Sequence, residues 1–236
     1  MHSLAAAVGN KVGKEAEELC ASGQCAAAAV ALKLAVYLGH LPSRALMAHM
    51  MTKGREGVAQ DRNAAFELVE EGARLGCHHC QGVMAECYRW GYGCVRDNVR
   101  SLELARESSG KGSRYGQLVL GQLYLHGVGG VARDIAQAVA LYRLAAAQNL
   151  DDAHYCLGWM YYQGLSRGVA QDYAEALRLY QLAAAQGHAE ALYKVADFHE
   201  FGLGVRRNMA EAIRWYRRAL AAGNHGAAAK LQMLRA

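Results

Sequence analysis

Apolar residues recur at helical spacing along almost the whole chain, in a pattern that repeats every 36–38 residues. The clearest copy runs from Asp152 to His188, and the next copy runs from Ala189 to His225. Each copy holds two such segments, and the second segment of the clearest copy places on one helical face Ala176, Leu177, Tyr180, Ala183 and Ala184. One helix pair cannot bury its apolar face alone, so this period predicts a stacked array of helix pairs.

Helix stop and start signals recur in register with this period. A glycine closes the first helix of each copy, at Gly54, Gly91, Gly127, Gly164 and Gly202. Glycine is favoured there because a helix commonly ends in a left-handed residue, a conformation that other side chains resist. Six to eight residues later stands a good N-cap for the next helix: Asp61, Asp97, Asp134, Asp172 or Asn208. These signals predict five helix–turn–helix hairpins.

A small residue precedes each closing glycine by six positions. These residues are Ala48, Ala85, Gly121, Gly158 and Ala196. Their recurrence predicts that a neighbouring helix passes close to each first helix at this point.

Four segments carry a resemblance to a known repeat: LGWMYYQG, GVAQDYAEALRLYQLAAAQGH, LGQLYLHGVGGVARDIAQAVALYRLAAAQ and FGLGVRRNMAEAIRWYRRALAAGNH. They resemble the Sel1-like repeat, a relative of the tetratricopeptide repeat, and the resemblance covers the chain from Pro42 to His225. The first two copies depart from it, because Val69 and Ala105 replace the tyrosine of the second helix. The resemblance implies an all-α fold, a right-handed superhelical solenoid of about five repeats with terminal capping helices. It also implies a role as an adaptor or in the assembly of complexes.

We expect one solenoid domain over residues 1–236. Its repeats are predicted at 42–76, 77–112, 113–151, 152–188 and 189–223, with capping helices at 1–41 and 224–236. Gln24–His40 resembles a lone second helix, and Lys14–Ala21 is predicted to be a truncated first helix. Terminal units of this kind cover the open ends of a stack. The prediction is therefore about twelve or thirteen helices in one superhelix.

Charge and hydropathy limit the classes of partner and the cellular location expected for this chain. The formal net charge is only +5, and acidic residues interleave with the basic ones, so no nucleic-acid partner is expected. No run reaches the roughly 18 consecutive apolar residues that suggest a membrane span. The first residues lack the order of a secretory signal. We expect a soluble, intracellular protein in the cytoplasm, with a mitochondrial location as the alternative.

Cysteine and histidine cluster in the second copy, at Cys77, His78, His79, Cys80, Cys87 and Cys94. Such ligands can hold zinc, so a haem- or metal-handling assembly factor is the alternative function, similar to the cytochrome oxidase assembly factor of the same repeat family. The repeat register favours packing, because Cys87 stands at the position of Met50 and Leu123, and free cysteine behaves as a small buried hydrophobe. We therefore expect no metal and no cofactor. The odd total of seven cysteines favours free thiols in a reducing compartment.

No catalytic motif is complete in the sequence. His199 and Glu200 lack the second histidine that a zinc-protease helix carries four residues after the first. The glycines at 127, 129 and 130 lack the Lys-Ser/Thr pair of a phosphate-binding loop. An enzyme is not expected.

Residues of the first helices that are not packing positions are expected to face the concave side of the superhelix and to contact a protein or peptide partner. They are His49, Glu86, Arg89, Trp90, Gln122, His126, Trp159, Tyr162, Lys194, Asp197 and Glu200. Trp90 and Trp159 stand among polar neighbours, as aromatic anchors of an interface do. The alternative is a tryptophan partly covered by an adjacent loop. The sequence thus predicts a non-enzymatic protein-binding scaffold whose partner it does not identify.

Overall fold

The computed structural model describes residues 2–55, 57–165 and 169–234, and all regular elements in these ranges are α-helices. The thirteen helices described follow one another as six pairs and a final single helix. The chain divides into two compact units, Met1–Gln148 and Asn149–Ala236.

The first unit contains eight helices. They are α1 (His2–Ala21), α2 (Cys25–Tyr37), α3 (Leu41–Lys53), α4 (Arg62–Arg74), α5 (His78–Trp90), α6 (Asn98–Gly110), α7 (Arg114–His126) and α8 (Ile135–Ala147). One cluster of buried side chains joins α2 and α3 around Leu32, Leu46 and Met50. Another joins α5 to α8 around Val119 and Leu123.

The second unit contains five helices. They are α9 (Asp151–Gln163), α10 (Tyr173–Ala185), α11 (Ala189–Phe201), α12 (Met209–Ala221) and α13 (Gly226–Met233). Its core is rich in rings, because Tyr180, Tyr216 and Phe198 are fully buried among alanine and leucine side chains. The last helix buries Ala227 and Leu231 against this core.

The predicted stop signals take the expected conformation in every hairpin. Gly54, Gly91, Gly127, Gly164 and Gly202 all have left-handed backbones, with φ between 63° and 74°. The N–H of each closing glycine donates to the carbonyl four residues earlier, as that of Gly127 does to Leu123. The helix ends where a left-handed residue turns the chain away.

The predicted start signals are also confirmed. Each of the five N-cap side chains accepts a hydrogen bond from a backbone N–H in the first turn of the next helix; Asp134 Oδ1, for example, accepts from Gln137 at 3.0 Å. The N-cap's own N–H donates back to the first helix, as that of Asp134 does to the carbonyl of Tyr124 at 2.9 Å. The loop is thereby closed by backbone bonds that do not depend on its side chains.

Two of the small residues of the first helices, Gly121 and Gly158, lie against a second helix, as predicted. A Cβ on Gly121 would lie 2.7 Å from the ring of Tyr142, and one on Gly158 would lie 2.9 Å from the ring of Tyr180. Hydrogen in place of a methyl group therefore lets a tyrosine ring pack directly on the first helix in these two copies.

The first helix is longer than the sequence predicts. Instead of a short helix at Lys14–Ala21, α1 begins at His2. Glycine in general weakens a helix, but Gly9 and Gly13 face the segment that joins α2 to α3. A Cβ on Gly9 would lie 3.2 Å from that of Leu38, and one on Gly13 would overlap the ring of His40. These glycines permit close packing and do not break the helix.

Candidate functional site

In the first unit, two of the predicted partner-contacting side chains are buried against each other. His49 Nδ1 lies 3.2 Å from Glu86 Oε2, although the two residues belong to different copies. Lys53 Nζ donates to Glu86 Oε1 at 2.7 Å, and the His49 ring lies 5.0 Å from that of Tyr115. The carboxylate of Glu86 is thus held by two basic side chains inside the unit, and this arrangement joins α3, α5 and α7.

Arg89, in the last turn of α5, is buried with only 4% of its surface exposed. Its Nε and Nη1 are enclosed, and no atom of the described ranges accepts a hydrogen bond from them. Its guanidinium carbon lies 4.8 Å from the centroid of the Trp90 ring. Burial lowers the pKa of Arg89, and the charge of Arg96 lowers it further, whereas Tyr142 opposes both effects.

The next two predicted residues lie on α7, and one of them, His126, interacts electrostatically with this guanidinium. Gln122 is half-buried, and its Oε1 is enclosed without a donor among the described residues. His126 is exposed; burial of part of its ring lowers its pKa, as do the positive charges of Arg89 and Arg133. The end of α5 and the end of α7 therefore form a positively charged, incompletely hydrogen-bonded region.

In the second unit, Trp159 and Tyr162 are half-buried at the margin of the aromatic core. The Tyr162 ring lies 5.8 Å from the rings of both Tyr173 and Phe198. Each side chain thus has one packed side and one side that reaches solvent.

Asp197 and Glu200 share a hydroxyl group. The Tyr216 hydroxyl lies 2.6 Å from Asp197 Oδ1 and within hydrogen-bonding distance of Glu200. Lys230 Nζ lies 3.0 Å from Glu200 Oε2, and Lys194 Nζ lies 3.6 Å from Asp197 Oδ2. Burial raises the pKa of Asp197, although the Tyr216 hydrogen bond and both lysines act in the opposite direction. The two carboxylates belong to a hydrogen-bonded network that ties α13 to α11 and α12.

The structure adds one exposed aromatic ring that the sequence reasoning missed. Phe201 is 58% exposed, and its ring centroid lies 5.0 Å from Lys230 Nζ. It stands immediately before the closing glycine, as Trp90 does in its own copy, and Trp90 is 46% exposed. Alignment of the copies on their closing glycines was the signal that could have identified it.

The cysteine and histidine segment is engaged in packing and local hydrogen bonds. Cys77 caps α5, its Sγ accepting from the N–H of Cys80 at 3.4 Å. Hydrogen bonding to Cys80 lowers the pKa of the Cys77 thiol to about 6. His79 Nδ1 lies 3.1 Å from Ser113 Oγ, and burial lowers the pKa of His79 to about 4. Cys87 is fully buried at the position of Met50 and Leu123, as the register predicts.

Among the described residues, no helix combines the length and the hydropathy needed to cross a bilayer.

The repeated hairpins define the class of this molecule, an all-α protein built from sequential helix-pair repeats. The Sel1 repeat family matches residues 42–77, 78–113, 114–150, 151–188 and 189–224, and the chain therefore belongs to the Sel1 repeat family. Proteins of this family generally mediate protein interactions, and they are typically non-catalytic scaffolds.

Solved structures with a similar fold come from several bacteria. A protective antigen of uropathogenic Escherichia coli with an SLR fold is 28% identical, with a TM-score of 0.58, over 86% of this chain and 43% of the antigen. This chain thus spans less than half the length of that relative.

Two further structures match most of their own length. A Sel1 repeat protein from Oxalobacter formigenes is 22% identical over 91% of this chain and 86% of that protein, with a TM-score of 0.60. An immunity protein from Pseudomonas aeruginosa is 20% identical over 92% of this chain and 83% of its own, with a TM-score of 0.55. At this identity the likeness shows the fold alone. No curated protein matches the chain significantly.

Proposed function

We propose that this protein is a non-enzymatic scaffold that binds a partner protein through the ends of its first helices. The main support for this proposal is the exposure of two aromatic rings, those of Trp90 and Phe201. Each of these residues stands one position before a closing glycine. Large aromatic side chains anchor interfaces because they bury much apolar area at little cost in conformational entropy.

Each of these rings has a cation beside it. Trp90 has the Arg89 guanidinium at 4.8 Å, and Phe201 has Lys230 Nζ at 5.0 Å. A cation packed against an aromatic ring is attracted to the ring face and helps to hold the ring in place. The presence of an exposed aromatic ring at the same repeat position in both units supports a shared role in binding.

Eight of the other candidate residues divide into two groups. His126, Trp159, Tyr162 and Lys194 reach solvent and are proposed to contact the partner with the two rings. His49, Glu86, Asp197 and Glu200 engage in hydrogen bonds within their own unit, and we propose that they hold the first helices in place. A surface fixed in this way loses little conformational freedom when it binds.

The test compares Trp90→Ala/Phe201→Ala with the wild type in quantitative affinity purification from cells of the source organism, followed by calorimetry with the purified partner. Truncating an aromatic anchor typically costs about 2 kcal/mol or more, so at least a roughly 30-fold weaker affinity is expected. Leu144→Ala/Leu182→Ala is the matched control, because these leucines are 54% and 39% exposed on second helices, one in each unit.

A second variant, Trp159→Ala/Tyr162→Ala, tests the half-buried aromatic pair. Circular dichroism must first establish that its helix content and melting temperature are retained, because Tyr162 packs against Phe198. Identical partner lists for the wild type and both aromatic variants would contradict the proposed surface. Loss of the partner from the leucine control as well would move the site to the second helices.

A further inference from the structure

The outward face of α2 presents large apolar side chains to solvent. Val30, Leu34 and Tyr37 are 71%, 48% and 86% exposed. The opposite face of the helix is buried in the first unit through Cys25, Ala28, Ala29, Leu32 and Ala35. The core of the unit therefore accounts for only one side of α2, and the apolar character of the other side needs a separate explanation.

The other second helices do not share this feature. Each of them has thirteen residues, as α2 has, so their positions correspond one to one. The counterparts of Val30 are Glu67, Glu103, Ala140, Arg178 and Arg214. The counterparts of Tyr37 are Arg74, Gly110, Ala147, Ala185 and Ala221. Both positions thus hold charged or small residues in every other second helix and large apolar residues only in α2.

The exposed residues of α2 form one stripe with a self-complementary order. Ala27, Val30, Leu34 and Tyr37 follow one another at spacings of three, four and three residues, the spacing by which paired helices pack. The stripe is symmetric about Leu32. If a second α2 packs antiparallel at this level, Ala27 faces Tyr37 of the other copy and Val30 faces Leu34. A small side chain then stands opposite a large one, the arrangement that fills the space between two helices.

We propose that the outward face of α2 is a dimerisation surface, on which the α2 helix of a second copy of this chain packs antiparallel. The contact is isologous, because the same stripe serves both copies. The single charged residue of α2, Lys33, lies beside the stripe, so pairing removes no charge of the stripe from water. The inference goes beyond the proposed function, since it concerns neither Trp90 nor Phe201.

The size of the stripe sets the expected strength of the dimer. At the observed exposures, the three large side chains present roughly 400 Å² of surface per copy, within the range of patches that are often functional. Two copies would bury about 800 Å² through these side chains alone, at the low end of specific interfaces. A weak dimer is therefore expected, with a dissociation constant of roughly 1–100 µM.

The experiment is sedimentation velocity of the full chain between about 1 and 500 µM, a range that brackets this dissociation constant. The test variant is Val30→Glu/Leu34→Glu, which copies Glu67 and Glu71 of the first repeat. The matched control is Ala140→Glu/Leu144→Glu, which places the same two charges at the corresponding exposed positions of α8. Circular dichroism melting of all three proteins establishes that each is folded.

The wild type and the control should form dimers over this range, and Val30→Glu/Leu34→Glu should dimerise at least about tenfold more weakly. A wild type that stays monomeric throughout overturns the proposal. Dimerisation retained by the test variant, or lost from the control as well, also overturns it.

A tracer experiment tests whether the two α2 helices contact each other. Fluorescently labelled Val30→Glu/Leu34→Glu is mixed with an excess of unlabelled wild type and followed by fluorescence-detected sedimentation. In the isologous dimer the altered stripe faces that of the wild type, so the tracer should bind the wild type at least about tenfold more weakly than labelled wild type does. If α2 instead binds a different face of the second copy, the unaltered face of the tracer accepts the wild type with full affinity. That result, or assembly of the wild type beyond a dimer, overturns the antiparallel pairing.

Discussion

Replacement of Gly158 by alanine should reveal a direct contact between the two helices of the fourth repeat. The added Cβ would lie 2.9 Å from both Cδ1 and Cε1 of the buried Tyr180 ring, and 3.3 Å from the carbonyl oxygen of Ala176. Carbon atoms pack best at about 3.5–4.0 Å, so the methyl group overlaps the ring by more than half an ångström. Overpacking of this kind costs about 1–3 kcal/mol.

The measured effect of Gly158→Ala combines this penalty with a gain of about 1 kcal/mol in helix propensity. The two contributions separate when the ring is removed. In a Tyr180→Val background, which copies Val69 of the first repeat, the same substitution should stabilise the chain by about 1 kcal/mol. The difference between the two backgrounds should therefore be about 1–3 kcal/mol. The lower part of the range is expected, because the fifth repeat accommodates Ala196 together with Tyr216.

Urea unfolding followed by circular dichroism provides the four free energies of this double-mutant cycle. Tyr180→Phe is the control background, since it keeps the ring and should retain the full penalty of Gly158→Ala. A coupling energy below about 0.5 kcal/mol between positions 158 and 180 would refute the close-approach argument, because independent sites add within that margin.

Three further predictions concern an N-cap, two tyrosine hydroxyls and the carboxyl group of Asp197. Asp134→Ala removes the oxygen that accepts a hydrogen bond from the Gln137 N–H, and it should lower the free energy of unfolding by about 1 kcal/mol in urea titrations. Asp134→Asn should retain most of the stability of the wild type, because asparagine is also a good N-cap. Tyr180→Phe should leave the stability unchanged or raise it, because the buried Tyr180 hydroxyl has no hydrogen-bond partner among the described residues. Tyr216→Phe should lower the free energy of unfolding by about 1.5–3 kcal/mol, because the Tyr216 hydroxyl is hydrogen-bonded to Asp197. Equal effects of the two substitutions on stability would contradict this difference between the two hydroxyls. Because burial raises the pKa of Asp197, its protonated form favours the folded state; this contribution is present below the ordinary pKa of 3.8 and is lost as the pH rises through the higher folded value. Urea unfolding between pH 3 and pH 7 should show the loss of this stabilisation in the wild type and not in Asp197→Asn. Identical dependence of the unfolding free energy on pH in the two proteins would refute the prediction.

The hairpins could be predicted from sequence because their signals are local. A left-handed residue must end each first helix, and Gly164 or Gly202 satisfies that need without regard to the rest of the chain. An N-cap such as Asn208 bonds to N–H groups two or three residues away, so its role also follows from neighbouring residues. The same repeat register correctly predicted the burial of Cys87.

Local signals failed where a residue acts on a distant segment. The sequence predicted only a truncated first helix at Lys14–Ala21. The packing of α1 against Leu38 and His40 explains why the helix extends through Gly9 and Gly13 despite the low helix propensity of glycine. The exposure of Phe201 was missed because a phenylalanine on a helix most often faces a core.

The sequence by itself determined the repeat, its family and the ends of its helices, since a regular period fixes which face of each helix is apolar. Tertiary structure alone decided which polar side chains meet. His49 and Glu86 lie 37 residues apart in sequence and pair inside the first unit, whereas Arg89, three residues after Glu86, has no acceptor among the described residues. Helical periodicity places such residues on a face, but the neutralisation of a charge depends on the partner that the adjacent helix brings within hydrogen-bonding distance.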